Sequence, residues 1–386
     1  MYTHYINDNV VKRQRLRNSM LGRNTHAGKA GSQRSMRRKV TLRDIAQATG
    51  YSVNTVSRAL RDKDDIAPET RRKIRQVQQE MGYINNTLAS SLRRGYTNTI
   101  AVILGDISNP HFGIMMSEIE AHARSYGYAS FLQSTNEDEG LERAAIESAL
   151  NRSADGIILC PCQHSGDNIR YLQAQGIPFV LIGRRFDTVD TDYVVCDDEG
   201  GGYLATRELL QCGHRRILTL QGPAHISSAR ERLAGYRRAH GDMGVPVDEA
   251  LIREGFVIGE NNEARYAQLL TQVRDFTAVF AFSDLIAWDF WRFLRKKGLR
   301  VPEDVSLVGF DHIQSRLSSP FDLTTIRSYK RKMSTQAVDV LMQKLGGENS
   351  QPVQIIIETS LHQGETVRNL LEAPAGLTAL DASGSD

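Results

Sequence analysis

"TLRDIAQATGYSVNTVSRAL", Thr41–Leu60, reads as two short helices joined at one glycine. Thr41 followed by Asp44 makes a capping-box-like start, and Ile45, Ala46 and Ala48 supply apolar positions. Gly50 suits a helix stop, and Ser52 suits the cap of the next helix. In that second helix Val53, Val56, Ala59 and Leu60 recur at helical spacing. Between them stand Ser52, Asn54, Thr55, Ser57 and Arg58, and the usual solvent-facing helix formers Glu, Lys and Gln are missing. Short hydrogen-bonding side chains are poor choices for a helix facing water. They suit a helix facing base edges and phosphates. The pattern predicts a helix-turn-helix.

Working outward, "RDKDDIA" is a polar loop, and Pro68 opens a third helix, "PETRRKIRQVQQEMG", that ends at Gly82. "NNTLASSLRRG" (85–95) can form a short helix capped by Asn86 and carrying Leu88, Ala89 and Leu92. It is below the length at which an isolated helix is stable in water, so it is expected to fold with a partner. Residues 1–38 are basic, rich in Gly, Ser and Asn and without sustained periodicity, which predicts a disordered arm.

Charge divides the chain. Residues 1–95 hold 20 Lys+Arg against 7 Asp+Glu, a net +13, and the rest holds 28 against 38, a net −10. The basic part is expected to meet a polyanion, nucleic acid first and an anionic membrane surface second. An amphipathic membrane anchor wants Trp, Phe or Leu on its apolar face, and residues 1–95 contain no Trp and no Phe.

The remaining bulk numbers describe an ordinary globular chain. It has 386 residues, 40% hydrophobic and 24% charged, which is enough for two or three cores. No apolar run reaches bilayer length, and the N-terminus lacks the apolar stretch of a secretory signal, so a cytoplasmic location is expected. Four cysteines do not make a disulfide scaffold in a chain of this size. Cys160, Cys162 and His164 could be read as metal ligands, but no second cluster matches them and "DGIILCP" is more simply a buried strand.

From Asn98 on, β-rich runs alternate with amphipathic helices. The strand candidates are "TIAVILGD", "YASFLQST", "DGIILCP", "PFVLIGR", "YVVCDD", "RILTLQG", "LIREGF", "TAVFAFSD" and "VSLVGFD". Such alternation predicts parallel sheets covered on both faces, in two βαβ subdomains of roughly 97–196 and 197–325. A final helix ("KRKMSTQAVDVLMQKLG") and strand ("PVQIIIET") follow. The closing residues lack a leucine heptad that would argue for coiled-coil assembly.

No G-x-S-x-G, Walker loop, H-E-x-x-H or Rossmann fingerprint is present, which argues against the common enzyme classes. "DEGGG" (198–202) lacks the spacing of a phosphate loop. In open α/β sheets ligands bind beyond the carboxyl ends of the strands. The segments there include "DISNPHF", "CPCQH", "GPAHISSARER", "SD" and "FDH". His111, Phe112, Arg232, Ser283, Asp284 and Asp311 could therefore converge on a cleft, where an aromatic wall with charged groups suits a small polar ligand such as a sugar. Equally, Asp284 and Asp311 could cap the segments that follow them, and Arg232 could pair at the surface.

The stretch from Val40 to Gly95 closely resembles the DNA-binding headpiece and hinge of the lactose-repressor/galactose-repressor (LacI/GalR) family of bacterial regulators. The resemblance continues through "NTIAVILGDISNPHF", "SARERLAGYRRA", "VFAFSDLIAWD" and "VPEDVSLVGFD", over about residues 40–366. It implies a small all-α headpiece with a hinge helix, joined to an α/β core like that of periplasmic binding proteins. It also implies a homodimer on operator DNA, most often a repressor, switched by a small sugar-like effector and needing no cofactor or metal. On that basis the chain divides into an arm (1–38), a headpiece (39–84), a hinge helix (85–96), a core (97–370) and a tail (371–386). Within the core, 97–196 with 326–357 form one subdomain, and 197–325 with 358–370 form the other.

Carried over by position, the DNA-contacting set is Thr41, Ser52, Val53, Asn54, Thr55, Ser57, Arg58, Asn86, Ala89 and Leu92. Val53 and Asn54 fall at the variable base-reading positions, and Leu92 falls where the family inserts an apolar wedge into the minor groove. His111, Phe112, Arg232, Ser283 and Asp311 align with effector-pocket positions, Asp284 beside them. Two alternatives carry the same core: a solute-binding protein for transport, and an α/β enzyme with a nucleic-acid-binding extension. The basic headpiece opposes the first, and the missing catalytic constellation opposes the second.

Overall fold

A computed structural model describes residues 40–61, 64–83, 95–257, 259, 261–317, 319, 321–347 and 351–372. The expected arm (1–38), the hinge positions Asn86, Ala89 and Leu92, and the tail beyond Glu372 lie outside the described residues. The chain forms two compact units that divide near Asn86.

Among its described residues the first unit contains three helices: α1 (Leu42–Thr49), α2 (Val53–Ala59) and α3 (Pro68–Glu80). Thr41 and Asp44 close a full capping box at the start of α1. Gly50 ends it at φ 77°, a left-handed conformation that costs glycine little, and the chain turns there. Ser52 then accepts from the Thr55 amide at 3.0 Å and starts α2. Ile45, Ala46, Val56, Ala59, Ile74 and Tyr83 form one small core. Val56 and Ala59 face inward, whereas Val53 is 41% exposed despite its helical spacing with them.

The second unit holds two six-stranded sheets. The first consists of β1 (Thr99–Leu104), β2 (Ala129–Ser134), β3 (Gly156–Leu159), β4 (Phe179–Ile182), β5 (Tyr193–Cys196) and, from far down the chain, β11 (Gln354–Ile357). Its order is β11-β5-β4-β3-β1-β2, all parallel. The second consists of β6 (Ile217–Leu220), β7 (Ile252–Arg253), β8 (Ala278–Ala281), β9 (Ser306–Asp311), β10 (Thr324–Arg327) and β12 (Ser360–His362), in the order β12-β10-β9-β8-β6-β7. The central strands of both sheets are buried along their whole length, as strands covered on both faces must be.

Helices connect the strands. In the first half they are α4 (Pro110–Ser125) after β1, α5 (Glu139–Asn151) after β2, α6 (Asp167–Gln175) after β3 and α7 (Asp198–Gln211) after β5. In the second half they are α8 (Ser227–Asp242) after β6, α9 (Glu263–Gln272) after β7, α10 (Asp284–Lys296) after β8 and α11 (Lys330–Leu345) after β10. Helix α11 packs Met333, Ala337, Val338 and Leu341 into the core of the first sheet, beside Met115 and Ile119 of α4. The chain therefore crosses between the sheets after β5, after β10 and after β11.

Three expectations need correction. Two strands had no counterpart in the sequence reading, β10 and β12, and β12 runs antiparallel to β10. The expected crossing between 325 and 326 falls inside β10, whose residues 324–327 all pair with β9. The "LIREGF" strand shrinks to Ile252–Arg253, because Glu249–Leu251 turn as a short 3-10 helix. β10 was hard to read because its buried side chains include two threonines. Thr325 is inside only because its hydroxyl bonds Asp284 at 2.5 Å, a partner 41 residues away.

Candidate functional site

Each sheet reverses direction of winding beside its first strand: β1 lies between β2 and β3, and β6 lies between β7 and β8. Loops leaving neighbouring strands at such a point diverge and open a crevice. The loops after β1 and β3 and those after β6 and β8 face one another around a cavity of about 370 Å³. His111, Phe112, Arg232, Ser283 and Asp311 all line it. Asp284 does not. Its carboxylate is fully buried, accepting from the Ile313 amide at 2.8 Å and from the Thr325 hydroxyl. It ties the start of α10 to the turn after β9 and to β10, a structural role in place of the expected ligand contact.

Arg232 is the centre of the site. Its Nε donates to Asp198 Oδ1 at 2.7 Å and its Nη1 donates to the Phe282 carbonyl at 2.5 Å. The guanidinium lies 3.5 Å from the centroid of the Phe310 ring, and its Nη2 stands 3.8 Å from Asp311 Oδ1. The planar, forked group is thus fixed on every side. Its position depends on glycines. A Cβ on Gly202 of α7 would collide with the Arg232 backbone, and one on Gly235 of α8 would collide with the backbone of Glu199 and Tyr203. The "DEGGG" run is therefore the contact surface that lets α7 and α8 touch and brings Asp198 to Arg232.

Asp311 ends β9 at φ 107°, and Asn136 and Glu137, also lining the cavity, have φ of 49° and 61°. Left-handed conformations at non-glycine residues cost about 1–3 kcal/mol each and collect at functional sites. Burial pushes the carboxyls of Asp198 and Asp311 up, and Arg232 pulls both back. Burial holds His111 well below its usual range, helped by Lys330, Arg232 and Arg184. His111 is thus neutral at neutral pH. Its Nδ1 is 3.4 Å from Asp311 Oδ1 but lacks hydrogen-bond alignment, so it is a polar atom with no satisfied partner among the described residues.

The sequence reading missed a second charged pair. Arg184, after β4, makes a bidentate contact with Glu137, after β2, at 2.6 and 3.0 Å, and also donates to the Pro161 carbonyl. Asp198, after β5, was missed too. All three obey the carboxyl-end rule, and applying it to the second, fourth and fifth strands would have found them. His164 and His225, in the loops "CPCQH" and "GPAHISSARER", stack at 4.1 Å between centroids. Among the described residues no group of three or more His, Cys, Asp and Glu is arranged to hold a metal ion. Cys160 is buried, which pushes its thiol up to about 12.

In the other unit, Ser52, Val53, Asn54 and Arg58 are exposed on α2, Thr55 and Ser57 are half-buried, and Thr41 is exposed at the start of α1. Three of the hydroxyls are engaged: Ser52 Oγ lies 2.8 Å from Thr55 Oγ1, and Thr41 Oγ1 donates to Asp44 at 2.8 Å. Arg58 pairs with Asp65 at 2.5 Å, with both side chains about half exposed. Asn54 is exposed and its side chain makes no hydrogen bond among the described residues. No described helix is long and apolar enough to cross a membrane.

Residues 41–86 match the family described as bacterial regulatory proteins, lacI family. Residues 97–365 match the periplasmic binding proteins and sugar-binding domain of the LacI family. Curated relatives include the HTH-type transcriptional regulator DegA of Bacillus subtilis, 33% identical over 77% of this chain and 89% of that protein. The regulator CelR of Thermobifida fusca is 31% identical over 84% and 97%. The repressor PurR of Pasteurella multocida is 29% identical over 86% and 99%. Among solved structures, a CelR–cellobiose complex matches with a TM-score of 0.65 at 28% identity, covering 85% of this chain and all of that one. A lac repressor dimer bound to operator and the anti-inducer ONPF matches in fold with a TM-score of 0.76 at 24% identity, covering 86% and 100%.

Proposed function

This chain belongs to the LacI family of bacterial regulatory proteins, and we propose that it is a transcriptional repressor that binds a pseudo-palindromic operator as a homodimer and is switched by a small polyhydroxylated effector. The observation that carries the reading is the pairing of one basic helix-turn-helix unit with one cavity built on Arg232. A helix entering the major groove reads base edges with side chains near its N-terminus. Val53 and Asn54, at the first positions of α2 and exposed, suit that task, with Thr55, Ser57 and Arg58 near bases or phosphates. Ser52 and Thr41 act through their caps, which orient the two helix starts. Leu92 from each protomer is assigned to the minor groove, where an apolar wedge kinks the duplex, with Asn86 and Ala89 beside it.

In the cavity the charges are already neutralised internally, Arg184 by Glu137 and Arg232 by Asp198 and Asp311. Phe112, Phe256 and Phe282 supply apolar surface. Balanced charge with aromatic walls favours a neutral ligand rich in hydroxyls, to which His111 Nδ1 and Asp311 offer unsaturated hydrogen-bonding positions. Effector contacts reach both sheets. Its binding therefore selects one relative placement of the subdomains, and differential affinity for the two placements is what couples it to DNA.

The reading is tested in two steps. Selection from random duplexes should return a two-fold symmetric site, and a thermal-shift screen of sugars and nucleobases should return a ligand that alters affinity for it. Recovery of no preferred sequence would overturn the regulator reading. Turnover of the stabilising ligand would favour an enzyme instead.

A further inference from the structure

A second cavity, of about 470 Å³, lies where the chain leaves β10 for α11. Five cations line it: Arg316, Arg327, Lys330, Arg331 and Lys332. Among the described residues, Glu118 of α4 is the carboxylate that pairs with the group, shared between Arg316 at 2.5 Å and Arg331 at 3.5 Å. Arg327 bonds the ring of His362 at 2.8 Å, and Lys332 makes no ion pair among the described residues. Three of the cations, Lys330, Arg331 and Lys332, form the first turn of α11, whose N-cap Tyr329 supplies no side-chain cap. That end of a helix carries positive partial charge and normally attracts acids. Arg331 has Glu118 and Lys330 has Asp311 nearby, which leaves Lys332 at this helix end without a paired acid among the described residues. His312 adds a buried Nδ1 with no partner among the described residues to the same wall.

We propose that this cavity is a binding site for a phosphate group, carried by a small phosphomonoester or by free phosphate, and is separate from the effector cleft. Forked guanidiniums, an ammonium and uncapped backbone amides are together the donors that phosphate oxygens accept from. The two cavities share one residue. Lys330 Nζ donates to the Asp311 carbonyl, while the Asp311 carboxylate faces Arg232 and His111 on the other side. Phosphate that draws on Lys330 acts on the residue that orients the effector.

The test is calorimetry on the full chain with inorganic phosphate and with glycerol 3-phosphate, ionic strength held constant with chloride. The expected result is one saturable site per chain with a submillimolar Kd. Competition between the two probes identifies a phosphomonoester site, and exclusion of glycerol 3-phosphate identifies a phosphate site. The exposed double substitution Arg331→Gln with Lys332→Gln should weaken binding at least tenfold. Glu118→Gln, which frees two guanidiniums, should tighten it several-fold. The titrations contain no effector, so they read this cavity alone and the site stands or falls independently of the effector reading. Non-saturable binding, or equal binding by the double variant, overturns the proposal. So does a double variant whose dimer dissociates while phosphate never saturates the parent protein, because a second copy would then be what meets these cations.

Discussion

His164 and His225 stack with their ring centroids 4.1 Å apart and their planes 27° from parallel. His164 follows β3 of the first sheet, and His225 follows β6 of the second, so the pair spans the cavity. His225 is held below its ordinary value of 6.5, by burial first and then by His164 and Arg184, with Arg230 acting the same way and Glu137 opposing. In the window just below 6.5 the unfolded chain therefore binds more protons than the folded one. Stability is fully present above 6.5 and falls as pH drops through the window. His225→Gln should lose less melting temperature between pH 7.5 and 5.5 than the parent, with His111, His214, His240 and His312, all lowered first by burial, leaving a residual slope of the same sign. Parallel calorimetric profiles would show that His225 does not contribute to the acid side of the stability curve.

Removing Arg232 strands two buried acids. Arg232→Ala should destabilise the core by about 3–5 kcal/mol at pH 7, the usual cost of breaking a buried pair from one side. The deficit should shrink on acidification as Asp198 and Asp311 take up protons. Urea titrations at pH 7 and 5 check this. The variant should also lose its response to effector while the separate headpiece unit melts as before.

Gly202→Ala and Gly235→Ala each place a methyl against the backbone of the opposing helix. Each should cost at least the about 1–3 kcal/mol typical of overpacking, since backbone cannot rotate away as a side chain can. The same variants should weaken effector binding, although neither glycine lines the cavity. Normal effector affinity in a destabilised Gly202→Ala would separate the α7–α8 contact from the placement of Arg232.

In the headpiece, stability and readout fall on different residues. Ser52→Ala removes the cap of α2 and should cost about 1 kcal/mol of headpiece stability. Asn54→Ala touches no partner and should leave stability unchanged while altering which base pair is preferred at one fixed position of each half-site. Sequence selection with each variant, beside thermal melts, distinguishes the two. An unchanged preference in Asn54→Ala would remove it from the readout.

Leu92→Ala should reduce affinity for the operator far more than for random duplex, because only a specifically placed wedge contributes in the first case. Gel shifts on both duplexes at one salt concentration decide it, and equal loss would contradict a wedge.

Local chemistry was legible because it is written within a few residues. The capping box at Thr41 and Asp44, the left-handed stop at Gly50 and the cap at Ser52 each involve neighbours in the chain, and the structure forms all three. The buried central strands are equally local, since continuous apolar runs between helices have one good use. What stayed hidden depends on distance. β10 and β12 are short and polar and become strands only where β9 offers an edge to β10 and β10 in turn offers one to β12. Spacing alone would bury Val53, which is exposed as its family-aligned position requires, because the width of the buried stripe is set by how α1 and α3 pack on α2.

By itself, then, the chain determined its two-unit organisation, its helix starts and stops and the alternation that builds two sheets, all consequences of backbone conformation and hydrophobic periodicity. The tertiary structure alone decided the charge pairing within the site. Asp198 reaches Arg232 only through a glycine contact between α7 and α8, Arg184 meets Glu137 47 residues away, and Asp284 is drawn off the cavity by Thr325. A buried charge is tolerated only beside its partner, and which partner arrives is a matter of packing, not of sequence distance.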